Sequence, residues 1–362
     1  MQGLEMLRVT VADELAKHGV DRDLMLDRDD GALGGSGVCA KNKGLDRWRV
    51  CDSRWWLGVV RRAHGVAVES AAFRLGMVAR HADCYVSRES LERRRQQRAR
   101  NASMVDSHDV VSNDGETVSL RSVVDASVAN PAIRRGELMV RMNGFQSVAN
   151  GLGHRALFIT VTCPSRFHRF ASFEGGKSRA NRANEKENLT PADAQRHLLA
   201  VFARVRAKLA RDRVAVYGFR VAEPHHDGCP HHHFVLFCES EHRQSVARVF
   251  YRYALAESPD EPGARKARCK IKFLHGANGA VAYVAKYIAK NIDGYGIDRD
   301  LLGNAAVVAS GRIEAWASTW RIRQFQQFGG PPVGAWRECR RVDSVDVSGA
   351  LAEAVAVCHR VG

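Results

Sequence analysis

Apolar residues recur along the second half of the chain with two spacings, one typical of strands and one typical of helices. Thr190 and Pro191 suit the N-cap and the first position of one helix, and the Asp227-Gly228 pair predicts a turn that makes a hairpin of two strands. Strands are predicted over residues 157–163, 214–223, 231–238 and 270–274, and helices over residues 190–211, 242–256 and 278–293. This order predicts an α+β fold with a largely antiparallel central sheet flanked by helices.

The pattern changes near residue 140 and again near residue 300. Residues 1–140 have the pattern of helical segments broken by loops, and they include an arginine-rich run at residues 93–100. We therefore predict a basic, mostly helical N-terminal region over residues 1–140, the α+β domain over residues 141–300, and a C-terminal helical segment over residues 301–362 that packs on that domain.

Charge narrows the class of partner. The 362 residues include 55 Lys and Arg against 40 Asp and Glu, which gives a formal net charge of +15. Such an excess favours a polyanion, with nucleic acid ahead of an anionic membrane surface. No stretch approaches the roughly 20 apolar residues of a membrane helix, and the first residues lack the order of a signal peptide. We therefore expect a cytoplasmic protein that does not contact a membrane.

Five of the fifteen histidines fall between residues 225 and 233, in the predicted turn and the strand after it. Because side chains alternate along a strand, His231 and His233 share one face and His232 points to the other. Glu223, near the end of the partner strand, comes opposite them and supplies an oxygen. Three turn residues are expected to face solvent: His225, His226 and Asp227.

Two imidazoles and a carboxylate with open positions are typical of a catalytic metal site rather than a sealed structural one. The carboxylate favours Mg²⁺ or Mn²⁺, whereas the two histidines alone would also suit Zn²⁺. A His-x-His strand also occurs in unrelated metal hydrolases and as a mere pair of exposed histidines. The histidines therefore indicate a metal site without deciding its chemistry.

A second group of polar residues lies on the last predicted helix. Tyr283, Lys286, Tyr287 and Lys290 are spaced i, i+3, i+4 and i+7, which places them on one face. The apolar residues of the helix form an opposing stripe: Val281, Val284, Ala285, Ile288 and Ile292. The pattern predicts a helix that packs through the apolar stripe and presents the tyrosines and lysines on its other side. A surface helix without a catalytic role has the same pattern.

Together the two groups suit phosphodiester chemistry. A tyrosine hydroxyl titrates near pH 10 and is a poor nucleophile at neutral pH, but a metal ion and two lysines would stabilise the charge that develops on a phosphodiester. Attack on a DNA phosphate would keep the phosphodiester energy in a phosphotyrosine and expel a 3′ hydroxyl that can prime a polymerase. A second tyrosine one helical turn away permits a nick, a transfer and a closure within one protein.

These segments resemble the motifs of rolling-circle replication initiators of the HUH endonuclease superfamily, and more narrowly those of phage gene A-type replication endonucleases. Residues 158–165 resemble the first-motif strand and turn, residues 230–234 the histidine motif, and residues 283–290 the two-tyrosine helix. Residues 315–329 and 336–338 resemble the segment that follows this helix, so that the similarity runs from about residue 150 to 340. The middle position of the histidine motif, usually hydrophobic, is His232 here.

The resemblance implies an HUH endonuclease catalytic domain over residues 141–300. It implies a site-specific single-strand DNA endonuclease and strand-joining enzyme that starts phage rolling-circle replication through a 5′-phosphotyrosine intermediate. It assigns the metal, Mg²⁺ or Mn²⁺, to His231, His233 and Glu223, the nucleophilic attack to Tyr283 and Tyr287, and electrostatic help to Lys286 and Lys290. The implied partners are single-stranded DNA at a phage replication origin and the helicase and polymerase of the bacterial host, in whose cytoplasm the protein would act.

Three other functions stay open. A metal nuclease that activates water would leave free 5′ phosphates, with structural tyrosines. A relaxase or transposase of the same superfamily would share the chemistry, although the transposase commonly uses one tyrosine. A non-enzymatic origin-binding protein would bind DNA in a salt-sensitive way without needing the histidines. If the protein binds DNA, two basic segments are candidates for holding the strand: the arginines of residues 93–100 and the loop 166–186.

Overall fold

The computed structural model describes residues 52–172, 178–274, 285, 287–288, 291–293, 306–342 and 348–360. Two compact units divide the chain between Met77 and Val78, and the first contains one described helix, α1 (Ser53–Arg74). The second contains, in chain order, α2 (Arg88–Asp106), β1 (Asp109–Val111), β2 (Thr117–Ser119), α3 (Leu120–Asp125), α4 (Pro131–Gly151), β3 (Arg155–Thr162), β4 (Phe170–Ser172), β5 (Ser178–Ala180), α5 (Arg182–Glu187), α6 (Pro191–Arg211), β6 (Tyr217–Pro224), β7 (Pro230–Cys238), α7 (Arg243–Ala254), α8 (Ala264–Ala267), β8 (Cys269–Phe273), α9 (Ala306–Thr319), β9 (Phe325–Phe328), α10 (Val333–Cys339) and α11 (Gly349–Arg360).

The central sheet has five antiparallel strands in the order β8-β3-β7-β6-β9. This sheet and the helices around it confirm the predicted α+β fold. Strand β9 was not predicted, because residues 301–362 were expected to be helical. It pairs with β6 as an edge strand, with Gly218 opposite Phe328 and Val221 opposite Phe325. The predicted domain limits stay predictions; α4 crosses residue 140, and residue 300 lies outside the described residues.

Helices cover both faces of the sheet. On one face α6 and α7 pack with Phe202 and Phe250 against Phe234 of β7, at ring-centroid distances of 4.8 and 5.2 Å for the pairs with Phe234. On the other face α4 contributes Leu138 and Met142 to a second buried cluster. The middle strands are thus buried on both sides, so that polar side chains on them lie in a largely dry environment.

Local sequence sets the start of α6. Pro191 occupies the first helical turn, where its missing N–H costs nothing, and the Asp193 carboxylate accepts a hydrogen bond from the backbone N–H of Thr190 at 2.8 Å. The helix ends at Arg211, as the apolar stripe predicted. Among the described residues, no helix has both the length and the apolar character that a membrane span needs.

A tight turn joins β6 to β7. The backbone N–H of His225 donates to the Cys229 carbonyl at 2.7 Å, and the N–H of Gly228 donates to the His225 carbonyl at 2.8 Å. Gly228 has φ +80°, a conformation that glycine adopts without strain. The indole N–H of Trp316 donates to the Gly228 carbonyl at 2.8 Å and ties the turn to α9. The predicted hairpin is confirmed, and its register sets the residues described next.

Candidate functional site

The hairpin brings together the three side chains that were predicted to hold a metal. Glu223 and His231 are directly opposite each other on β6 and β7, and His233 follows on the same face as His231. The Oε2 atom of Glu223 lies 4.0 Å from His231 Nε2 and 3.7 Å from His233 Nε2. The chain therefore points one carboxylate oxygen and two imidazole nitrogens at a common point.

These donors fit a divalent cation. One ligand atom from each of the three residues lies within 4.8 Å of the others, and ligands held about 2.1 Å from one ion are themselves roughly 3–4 Å apart. The Oγ1 atom of Thr160 lies 2.9 Å from His233 Nδ1, which leaves Nε2 of that ring to face the ion. Thr160 was not predicted as a site residue, although its place on β3 opposite His233 follows from the strand register.

Tyr287 lies against this cluster. Its ring centroid is 4.3 Å from that of His233 and 5.6 Å from that of Phe158. The sequence pattern placed the tyrosines on the side of the helix opposite its packed apolar stripe. For Tyr287 that prediction is wrong, because its ring packs against the same buried cluster that contains Ile288. Consecutive helical residues are only about 100° apart, so both reach the same surface. The other predicted residues of this helix lie outside the described residues: Tyr283, Lys286 and Lys290.

Asn291 joins the tyrosine helix to the carboxylate. Its Nδ2 atom donates to Glu223 Oε1 and, at 2.6 Å, to the Tyr287 carbonyl. The side chain is buried, with 2% of its surface exposed. Asn291 was not predicted as a site residue, and its signal in the sequence is its position four residues after Tyr287, on the same helical face.

Comparison with known proteins gives the family. The profile described as "Bacteriophage replication gene A protein (GPA)" matches residues 39–295, which include every candidate ligand and both tyrosines. The chain belongs to this family. No solved structure matches it.

Over the aligned residues, three relatives of the gene A family are 34–38% identical to this chain. The replication gene A protein of Escherichia phage 186 is 38% identical over 86% of this chain and 45% of its own length. That of Escherichia phage P2 is 37% identical over 81% of this chain and 39% of its own length. A probable replication endonuclease from a prophage-like region of Salmonella typhimurium is 34% identical over 81% of this chain and 36% of its own length. The chain thus spans less than half the length of these relatives.

The middle histidine of the three on β7 has a different environment. His232 is fully buried on the opposite face, as strand alternation predicted, with Nε2 3.2 Å from an Arg220 guanidinium nitrogen and 3.0 Å from Gln195 Oε1. Burial, reinforced by the charge of Arg220, holds the pKa of His232 well below its usual value. Burial also lowers the pKa of Arg220 to about 10. His232 is therefore a neutral core residue that anchors a buried arginine.

The turn residues are not solvent-facing, and that prediction is wrong. Asp227 is 7% exposed; its Oδ2 lies 3.0 Å from His168 Nδ1, and its Oδ1 accepts from the Cys229 N–H at 3.2 Å. His225 is half-buried, with its ring centroid 4.2 Å from that of His231. Turn residues are commonly exposed, but here side chains from outside the hairpin cover them: His168 contacts Asp227 and His225, and Tyr85 stacks on His226.

The contact between Asp227 and His168 favours the charged form of each side chain. Burial alone would raise the pKa of Asp227, but the charge and hydrogen bond of His168 outweigh it and lower that pKa to about 2. Burial lowers the pKa of His168, and Asp227 outweighs that effect, so the net pKa of His168 is raised. Each of the two side chains therefore stabilises the charged form of the other, beside His225 and the candidate ligand His231.

Asp227→Asn is expected to lower the free energy of unfolding at pH 7 by about 2 kcal/mol, because each pKa unit corresponds to about 1.4 kcal/mol. A lowered carboxyl pKa stabilises the fold above the unfolded-state value near 4 and loses that effect as the pH falls to about 2. Urea unfolding at pH 7 and pH 3 measures the difference. Asp212→Asn, which removes only a surface pair with Lys208, is the control. An equal loss of unfolding free energy at pH 7 and pH 3 would contradict a charge-dependent contact between Asp227 and His168.

The predicted strand-holding arginines are partly engaged within the protein. Arg94 and Arg98 of α2 pair with Glu314 of α9 at 2.8 and 2.7 Å. In the basic loop, Arg166 lies 2.7 Å from Glu257 and Arg169 lies 2.8 Å from Glu185. These pairs fix two basic segments to the gene A family fold, and their role toward DNA stays a prediction.

Proposed function

We propose that this gene A family protein is a site-specific single-strand DNA endonuclease and strand-joining enzyme that starts rolling-circle replication of a phage genome. The observation that carries the proposal is the contact between Tyr287 and His233, whose Nε2 faces Glu223 and His231. A hydroxyl-bearing ring thus lies beside three donors that suit a divalent cation. Relatives named replication gene A protein and probable replication endonuclease support the part of the proposal that concerns an endonuclease of phage replication.

The proposed reaction is a transesterification. A tyrosine oxygen forms a bond to the phosphorus of one DNA phosphodiester, the phenolic proton leaves, and the bond from phosphorus to the 3′ oxygen breaks. The 3′ oxygen takes up a proton and becomes the 3′ hydroxyl of the primer, while the 5′ phosphate stays on tyrosine. No water is consumed, so the reverse reaction with another 3′ hydroxyl joins the strands.

Each residue has a defined task in this proposal. Glu223, His231 and His233 would hold Mg²⁺ or Mn²⁺, which when bound supplies Lewis-acid stabilisation of the charge on the phosphate oxygens. Thr160 fixes the His233 ring through Nδ1. Lys286 and Lys290, spaced with the tyrosines along one helical face, add positive charge for the phosphate backbone.

Two nucleophiles explain strand joining. Tyr283 precedes Tyr287 by four residues in the sequence, a spacing that predicts about one turn of an α-helix between them. One tyrosine can hold a 5′ phosphate while the other attacks the next junction. The proposed partners are single-stranded DNA at the phage origin, a host helicase that supplies the displaced strand and a host polymerase that extends the primer, all in the bacterial cytoplasm.

The direct test uses single-stranded oligonucleotides that tile the phage's own replication region, labelled at their 3′ ends, with Mn²⁺ or Mg²⁺. We expect one oligonucleotide to give a labelled protein that survives denaturing electrophoresis, together with an unlabelled fragment ending in a 3′ hydroxyl. A labelled fragment with a free 5′ phosphate and no labelled protein would instead identify a nuclease that activates water. Salt-sensitive binding without cleavage of any tile would identify an origin-binding protein and refute the enzyme.

A further inference from the structure

Asn291 lies at the junction of the two halves of the site. It is on the tyrosine helix, yet its side chain reaches a carboxylate on β6 that is 68 positions earlier in the chain. The same Nδ2 group donates to the carbonyl of Tyr287, one helical turn before it. One buried amide group therefore contacts both the candidate metal ligand and the backbone of the candidate nucleophile.

The two oxygens of Glu223 are in different environments. Oε1 accepts from Asn291, whereas Oε2 lies 3.7 and 4.0 Å from the Nε2 atoms of His233 and His231. A carboxylate that is 2% exposed loses most of its hydration, so a hydrogen bond to one oxygen is a substantial constraint on its rotation. The bond to Asn291 leaves Oε2 as the oxygen that faces the histidines.

The orientation of the amide is determined by its neighbours. Both contacts of Nδ2 are acceptors, so a rotated amide would set its carbonyl oxygen against a carboxylate and a carbonyl. Asn291 Oδ1 is buried and makes no hydrogen bond among the described residues. Among the described residues the side chain is thus held by its donor group, and a side chain of similar shape without a donor would not make these two hydrogen bonds.

We propose that Asn291 is a positioning residue that holds Glu223 with Oε2 toward the metal. This role rests on the proposed function, but it predicts a change in metal affinity that can be measured without DNA cleavage. Without the donor, Glu223 loses this constraint on its rotation, and Oε1 is buried without the Asn291 hydrogen bond. The site then binds the cation more weakly, as other hydrogen-bond partners of metal ligands do when removed, by about 10- to 100-fold.

The test measures Mn²⁺ affinity of the full chain by electron paramagnetic resonance, without DNA. Asn291→Ala and Asn291→Leu are expected to raise the Kd by about 10- to 100-fold, the second keeping the number and branching of the side-chain heavy atoms. The matched control is Asn184→Ala. Asn184 is 3% exposed and donates from Nδ2 to the carbonyls of Arg166 and Leu189, so it has the same chemistry without a metal ligand. The control is expected to retain the wild-type Kd.

A double-mutant cycle separates positioning from general damage. If Asn291 acts through Glu223, then Asn291→Leu should change the Mn²⁺ Kd by less than about 3-fold in a Glu223→Gln background. An unchanged Kd in both single variants would overturn the proposal, as would an equal loss in Asn184→Ala or full additivity with Glu223→Gln. Thermal unfolding identifies any variant that is not folded. If Asn291→Ala is not folded, the Mn²⁺ Kd of the shape-matched Asn291→Leu variant decides whether Asn291 positions Glu223.

The outcome is independent of whether the protein cleaves DNA. Wild-type affinity in the Asn291 variants would refute the positioning role while a covalent adduct in the wild type still supports the proposed function. If the wild type cleaves DNA, the Mn²⁺ concentration for half-maximal cleavage should rise in the Asn291 variants. The factor should equal the factor by which their Mn²⁺ Kd rises. Saturating Mn²⁺ should then restore most of the wild-type kcat, which loss of a nucleophile would not allow.

Discussion

Replacing Tyr283 and Tyr287 together by phenylalanine is expected to abolish the covalent protein–DNA adduct and to lower strand cleavage by a factor on the order of 10³ or more. The change removes only the two hydroxyl groups. Phenylalanine keeps the ring that Tyr287 places against His233 and Phe158, so the helix should remain in place. Denaturing gels of labelled DNA measure the adduct, and Mn²⁺ binding shows that the metal site is intact.

Tyr217→Phe is the matched control for this pair. Its hydroxyl lies 3.0 Å from His154 Nδ1, and its ring packs on the same face of the sheet as Tyr287. We expect wild-type adduct formation in this variant, because it lacks only a hydroxyl remote from the candidate ligands. Adduct formation that persists in the double variant would refute both tyrosines as nucleophiles. With a single tyrosine left, nicking should continue while transfer to a second strand is lost.

Loss of either outer histidine is expected to have the second largest effect. His231→Ala and His233→Ala each remove one of three donors, which should lower the cleavage rate at a fixed Mn²⁺ concentration by about 10³-fold, equivalent to about 4 kcal/mol. The effect arises from lost metal, so Mn²⁺ binding should fall in parallel. Titration of Mn²⁺ followed by electron paramagnetic resonance, beside cleavage at each concentration, checks both quantities.

His232 is a control within the same motif. His232→Ala should leave Mn²⁺ affinity unchanged and lower the free energy of unfolding by about 2–4 kcal/mol, since it creates a cavity and removes a partner of the buried Arg220. Of three adjacent histidines, the two outer ones would thus bind Mn²⁺ and the middle one would stabilise the core. Equal loss of Mn²⁺ affinity at all three positions would contradict the register of β7.

The sequence predicted the parts of the site that follow from periodicity. Alternation along β7 placed His231 and His233 on one face and His232 on the other, and the Asp227-Gly228 turn placed Glu223 opposite His231. These are local relations within one hairpin. They require only the strand period and the hairpin turn, both of which the local sequence pattern predicts.

Relations between distant segments were not predicted. Thr160 and Asn291 contact the site through strand order and helix docking, which no local pattern encodes. Asp227 was placed in solvent because its partner, His168, comes from another loop. Strand β9, Phe-Gln-Gln-Phe, is too short to show a period of two, and it becomes a strand only because the edge of β6 is there to pair with it.

The hairpin that carries Glu223, His231 and His233 also has a consequence for chain entropy. Its ends meet through a short turn, whereas the bond from Asn291 to Glu223 closes a segment of 68 positions. For a flexible chain, closing a loop of that length costs roughly 2 kcal/mol more than closing a ten-residue one, and the pairing of β8 with β3 supplies part of that closure. Partial opening should therefore release the tyrosine helix before the hairpin, so that a protein losing its structure would lose the proposed nucleophile first and keep the proposed metal ligands together longest.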